Sequence, residues 1–332
     1  MVITRTPFRI SFLGGGTDYP VWYEKNGGAV LSVTIDKYLY IICRYLPPFF
    51  DFNYRIRYSI YEDVKTIKEI KHPSVRECLA SLNFKQGIEM QYNADLPAMS
   101  GLGSSSAFTV GFLNTLYALR KEEVSNRRLA LEAIHIEQER IKENVGSQDQ
   151  TAAAFGGFNR IEFGGKQKIK VIPLAIDDTV TKMLEHSLML FFTGFSRNAS
   201  DVAAEQIKTT PHKSKELKEL QAMVSEGEKI LTNGSGGIND FGKLLHEGWL
   251  IKRGLTSKIT TSSIDDMYSA ARSAGAIGGK LLGAGGGGFM LLFVRPECQK
   301  KVKDKLKRLL HVPFKFEKSG SQLIYRMPND YI

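Results

Sequence analysis

Along the first half of the chain, hydrophobic and polar positions alternate in short runs broken by glycine and proline. FRISF (8–12) and AVLSVTIDKYLYIICRYL (29–46) read as strands, the second long enough to bend or to divide in two. YRIRYSI (54–60) and GIEMQYNADLP (87–97) continue the alternation. From Ser104 the period changes, with Ala107, Val110, Leu113 and Tyr117 on one helical stripe. NRRLALEAIHIEQERIKENVG predicts a second helix stopping at Asn144–Gly146, and Gly156, Gly157, Gly164 and Gly165 frame a hairpin. Near residue 180 the pattern resets. LMLFFTGF reads as a buried strand, followed by helical stretches over about 199–231 and 238–252, a glycine-rich patch and the strand FMLLFVRP. Mixed order without regular βαβ alternation predicts an α+β fold in two domains, 1–180 and 181–332.

Composition changes this picture little. Of 332 residues 42% are hydrophobic and 24% charged, the balance of an ordinary globular protein with a sizeable core. No apolar run approaches the roughly 20 residues that span a bilayer, and MVITRTPFRISF lacks the apolar centre of a signal peptide. Cys43, Cys78 and Cys298 stand far apart, which suits unpaired thiols in a reducing cytoplasm. The net charge of +10 raises the question of a polyanionic partner. The densest basic run, KKVKDKLKRLL, puts Val302, Leu306 and Leu309 at helical spacing and reads as a helix with a solvated lysine face. Without a nucleic-acid module the expectation is no nucleic acid and no membrane, with phosphorylated small molecules as the partners. A homodimer is left open.

Two glycine motifs are decoys. GINDFGKL (237–244) nearly matches a P-loop but ends in Leu244 where a Mg²⁺-holding hydroxyl is needed. GAGGGG (283–288) satisfies G-x-G-x-x-G but precedes a strand instead of following one. SGLGSSSAF differs: Ser100, Gly101, Leu102, Gly103, Ser104, Ser105 and Ser106 lie between a strand and a helix N-terminus. Unpaired N–H groups and the helix dipole make such a terminus a phosphate site, glycines permit close approach, and a serine hydroxyl can reach Mg²⁺. The plain alternative is a serine-capped helix.

That loop has company in PFRISFLGGGTDYP (7–20) and GGKLLGAGGGGF (278–289). With PAMSGLGSSSA between them, the three resemble, in order, the motifs of the GHMP kinases, named for galactokinase, homoserine, mevalonate and phosphomevalonate kinases. The resemblance covers almost the whole chain. It implies a two-domain α+β fold with the active site between the domains, and ATP and Mg²⁺ as cofactors. It places the ATP phosphates on Ser100–Ser106 and the metal on Ser105, with Ser104 as the competing serine. Galactokinases carry a metal-binding glutamate twelve residues before the catalytic aspartate, as Glu137 stands to Asp149; Glu139 is the competitor. Asp149, in GSQDQTAAAFGG, resembles the family's catalytic base, with an N-cap before TAAAF as the plain reading. Arg9 resembles the basic residue beside it.

Galactokinases read G-E-H-T-D-Y in the first motif. Here Gly15 and Gly16 replace the glutamate and histidine while Thr17 and Asp18 remain, leaving room for a longer sugar held by Asp18. The G-G-G-T-D-Y-P form is similar to that of the D-glycero-D-manno-heptose 7-phosphate kinases, which phosphorylate the anomeric C1 hydroxyl on the route to GDP-activated heptose. A sugar phosphate needs a second anion site. TGFSRNASDVAAEQ offers Ser196, Arg197, Asn198 and Ser200 at a helix start, and EGWLIKRGLTSKIT offers Lys252 and Arg253. Gly285 and Gly286 of the last motif are expected beside the substrate. The competing functions are a kinase of a free sugar such as fucose and a non-catalytic, kinase-like binder of sugar or nucleic acid.

Overall fold

The computed structural model describes residues 1–165, 168–194, 199–233 and 237–327. The strands are β1 (Val2–Leu13), β2 (Gly28–Tyr45), β3 (Tyr54–Arg57), β4 (Tyr61–Val64), β5 (Ile88–Ala94), β6 (Phe158–Gly164), β7 (Lys168–Pro173), β8 (Leu188–Gly194), β9 (Ala276–Leu281), β10 (Gly288–Val294), β11 (Leu310–His311), β12 (Phe316–Glu317) and β13 (Gln322–Arg326). The α-helices are α1 (Pro20–Asn26), α2 (Pro73–Ser81), α3 (Ser104–Leu119), α4 (Asn126–His135), α5 (Gln148–Phe155), α6 (Asp178–Ser187), α7 (Ala199–Thr209), α8 (Ser214–Thr232), α9 (Ile238–Arg253), α10 (Ser262–Ser273) and α11 (Pro296–Lys305).

The large sheet is organised by β2. Its length is paired with β1, its second half with β5 and its first half with β6. The long strand expected to bend or divide is therefore one strand. It bends where Pro7 faces Tyr38 but Phe8 faces Ile35, so that Asp36 and Lys37 bulge out of register. β12 and β13 return to this sheet from the far end of the chain, pairing with β2 and β1. The smaller sheet runs β11-β8-β10-β9.

Fourteen of the sixteen α3 residues are buried, so α3 is a central helix packed on all sides and not one with a single apolar stripe. Phe12 joins the layers, stacking on Phe158 at 5.4 Å and meeting Phe241 of α9 edge-on at 5.4 Å. Several helix limits differ from the sequence pattern. The second expected helix turns π-helical over Ile136–Ile141 and ends at Lys142, whose φ of 64° is left-handed, short of Asn144. The stretch 199–231 breaks at Thr210–His212, where Pro211 cannot continue the hydrogen bonding. The basic C-terminal helix closes at Lys305 and leaves Leu306 and Leu309 in a turn. Among the described residues no helix is long and apolar enough to cross a membrane.

Candidate active site

Several secondary-structure ends, with α7 beside them, converge on one cleft of about 550 Å³. The ends are the turn after β1, the N-terminus of α3, the N-terminus of α5, the last turn of α9 and the β9–β10 loop. Arg9 stands near its floor with a side chain only 4% exposed. Its Nε and Nη2 donate to the two carboxylate oxygens of Asp149 at 2.8 and 2.7 Å, a bidentate fork that fixes the carboxylate plane. Its Nη1 donates to the Gly101 carbonyl at 2.8 Å, and its backbone N–H to Leu102 at 3.2 Å. Asp149 lies in the first turn of α5 and makes no capping bond, so the guanidinium and not a helix end is its partner.

The loop 100–106 crosses this pair. A Cβ on Gly103, at φ 75°, would come 3.3 Å from Asp149 Oδ2. Gly101, Gly103, Ser104, Ser105 and Ser106 line the cleft, whereas Ser100 and Leu102 are fully buried and anchor the loop. Ser100 donates to Pro97 and its carbonyl accepts from Phe289 N–H. The three serines differ. Ser104 accepts from Met99 N–H, Ser106 donates to Glu137 at 2.8 Å, and Ser105 is exposed to the cleft.

Glu137 sits in the π-helical turn and is fully buried. Its Oε2 accepts from Ser106 and Gln150, but its Oε1 has no partner. Burial pushes this carboxyl up to about 7, opposed by the hydroxyls of Thr109 and Ser106. Glu139 points to solvent and pairs with His135, so of the two glutamates only Glu137 is joined to the serine loop.

Gly15, Gly16 and Asp18 also line the cleft, and Asp18 Oδ1 accepts from Gly16 N–H at 2.9 Å. Burial, then the nearby Asp149 charge, raises the Asp18 carboxyl above its ordinary range. Lys252 is buried, and its Nζ donates to Gly283 O at 2.6 Å. Burial, then Arg9, lowers it to about 8, with Asp18 and Asp149 opposing.

Other expected substrate residues are placed elsewhere. Thr17 is wholly engaged in the turn, donating to Gly14 O and Ala29 O and accepting from Ala29 N–H, so it shapes the loop from behind. Arg253 pairs with Asp265 at 3.4 Å and does not line the cleft, because it is one residue round α9 from Lys252. Gly285 and Gly286 pack on Ile259, to which Gly286 N–H donates; Gly283 and Ala284 of the same loop reach the cleft instead. Arg197, with Ser196 and Asn198, lies outside the described residues. Sequence reasoning missed Ser11, Tyr19, Gln148, Gln206 and Lys280 on the cleft wall. Only Lys280 carried a signal, as a lone charge in the otherwise apolar run before LLGAGGGG.

Residues 65–157 match the family model described as the GHMP kinases N terminal domain, and residues 228–312 match GHMP kinases C terminal. The D-glycero-alpha-D-manno-heptose 7-phosphate kinase of Campylobacter jejuni subsp. jejuni serotype O:2 is 32% identical over 88% of this chain and 89% of its own. The bifunctional fucokinase/GDP-fucose pyrophosphorylase of Arabidopsis thaliana is 25% identical over 90% of this chain, which spans 30% of that longer protein. Among solved structures, a D-glycero-D-manno-heptose 1-phosphate kinase from Bacteriodes thetaiotaomicron superposes with a TM-score of 0.79 at 24% identity, covering 99% of this chain and 100% of that one. That likeness speaks for the fold. Two matched domains and a relative above 30% identity go further: the chain belongs to the GHMP kinases, ATP-dependent phosphotransferases.

Proposed function

We propose that the protein transfers the γ-phosphoryl group of ATP to the anomeric C1 hydroxyl of D-glycero-D-manno-heptose 7-phosphate, giving the 1,7-bisphosphate for GDP-heptose synthesis. The observation that carries the reaction is the Arg9–Asp149 fork beneath a glycine-serine loop at a helix N-terminus. Asp149, held in plane by Arg9, takes the C1 hydroxyl proton while the new O–P bond forms and the β–γ bridging bond breaks, releasing ADP. Loop N–H groups and the α3 dipole receive the polyphosphate. Arg9 also faces the charge that develops on the transferring group.

The donor set fits a divalent cation. Glu137, bonded to Ser106 of the loop but not itself lining the cleft, offers a buried carboxylate oxygen without a partner, and Ser105 an exposed hydroxyl one residue from Ser106. Mg²⁺ held there would neutralise phosphate charge and keep Glu137 ionised.

The acceptor follows from Asp18 with the space over Gly15 and Gly16, from Lys252, and from the similarity to the Campylobacter enzyme. The division near residue 180, which falls within α6, belongs to the same proposal: β1 to β7 precede it and β8 to β11 follow, while β12 and β13 cross back to the first sheet. The test is ADP release from ATP–Mg²⁺ with heptose 7-phosphate, mannose 6-phosphate, fucose, galactose and mevalonate, with ³¹P NMR locating the new phosphate. Turnover confined to heptose 7-phosphate, with phosphorus at C1, is expected. Preference for a free sugar would overturn the acceptor and keep the kinase.

A further inference from the structure

Two lysines line the cleft from different elements, and both are buried. Lys252, in the last turn of α9, is 7% exposed, and Lys280, in β9, is 5% exposed. Each ammonium has three donors, and each spends one on a backbone carbonyl: Lys252 on Gly283 and Lys280 on Phe12, at 2.6 and 2.7 Å. Among the described residues no carboxylate lies within the 4.0 Å of an ion pair with either. Of the two nearby carboxylates, Asp149 is taken by Arg9 and Asp18 is bonded to the Gly16 N–H. Three cations therefore share the cleft with two carboxylates, and both lysines are almost wholly withdrawn from water.

A buried cation without a counter-charge is costly, and two side by side more so. A purely structural tie, of β9 to β1 by Lys280 or of α9 to the β9–β10 loop by Lys252, uses one donor of each ammonium and leaves the remaining donors unexplained. We propose that Lys252 and Lys280 form the receptor for the phosphate dianion that the acceptor sugar already carries. The carbonyls of Gly283 and Phe12 hold the two ammonium groups at the cleft, leaving their remaining N–H donors for the phosphate oxygens. The mutual repulsion fits this role: burial, then Lys252 and Arg9, drives Lys280 well below its ordinary range, a strain that an arriving anion relieves. The assignment rests on the sugar-phosphate reading above and moves the second anion site from the 196–200 segment to the lysine pair of the cleft.

The same chemistry could serve the phosphoryl group of ATP, so the test separates the two sources. Lys252→Met and Lys280→Met are assayed in the full chain with heptose 7-phosphate and with unphosphorylated heptose. KM for the phosphorylated sugar should rise about tenfold or more in each, with KM for ATP within about twofold, because losing a charged hydrogen bond falls on its own ligand. Equal losses on both sugars, or a raised KM for ATP, would reassign the lysines to the transferred group and overturn the proposal.

A second measurement does not depend on turnover or on which sugar is correct. Inorganic phosphate should raise the Tm of the wild type saturated with a non-hydrolysable ATP analogue, and the lysine variants should lose that rise. If the wild type ignores heptose 7-phosphate yet keeps a lysine-dependent phosphate shift, the sugar assignment fails and the receptor stands. If phosphate leaves the wild-type Tm unchanged, the receptor is wrong whatever the substrate.

Discussion

Arg9 and Asp149 lie 140 positions apart, yet their side chains meet in two parallel hydrogen bonds of 2.8 and 2.7 Å, and the same guanidinium holds the Gly101 carbonyl. One side chain thus fixes the proposed base and the phosphate loop relative to each other.

Asp149→Asn should lower kcat by about 10²–10⁴, the usual worth of a positioned general base. A cooperative melt and unchanged far-UV circular dichroism would show that the fold persists. Turnover near the wild-type rate from folded protein would remove Asp149 as base.

Gly101 has φ 84°, and a Cβ there would come 2.5 Å from the Leu282 carbonyl, so the middle and last glycine loops touch backbone to backbone. Gly101→Ala should therefore cost about 1–3 kcal/mol in urea unfolding and raise KM for ATP by parting the loops. Unaltered stability would mean that this contact is loose.

Glu137→Gln keeps the shape and the bond to Ser106 but removes the charge. The Mg²⁺ concentration giving half-maximal rate should rise about tenfold or more, within the range seen when metal-site partners are lost. An unchanged Mg²⁺ titration would place the ion elsewhere.

Lys252 gives a pH dependence whose sign is fixed by its lowered pKa. Its neighbours in charge are Arg9, Lys280, Asp18 and Asp149. Below about 8 it is charged in both folded and unfolded chains, so its burial penalty is constant. Between about 8 and the ordinary 10.5 the unfolded chain binds more protons, so its contribution to stability rises with pH. At about 1.4 kcal/mol per unit this amounts to a few kcal/mol in all. Subtracting the Lys252→Met profile of unfolding free energy from the wild-type profile should expose that rise; parallel profiles would contradict it.

Part of the site was legible because it is written in neighbouring residues. Ser104–Ser106 follow two glycines and open an apolar helical period, and α3 begins at Ser104. Thr17 and Arg253 misled because sequence position gives no side-chain direction. Thr17 turns into its own loop, and Arg253 departs from Lys252 by the rotation of one helical residue. Lys280 reads as an ordinary strand lysine until Phe12, 268 positions away, supplies its carbonyl.

The sequence by itself determined the order of strands and helices over most of the chain, the three glycine loops and the family they mark, since period and turn chemistry act over a few residues. It also marked Arg9, Glu137 and Asp149. Tertiary structure alone decided that Arg9 grips Asp149, that Glu137 rather than Glu139 meets the serine loop, and that Lys252 and Lys280 line one cleft. Those choices depend on burial and on packing between distant segments, where desolvation selects which charges meet.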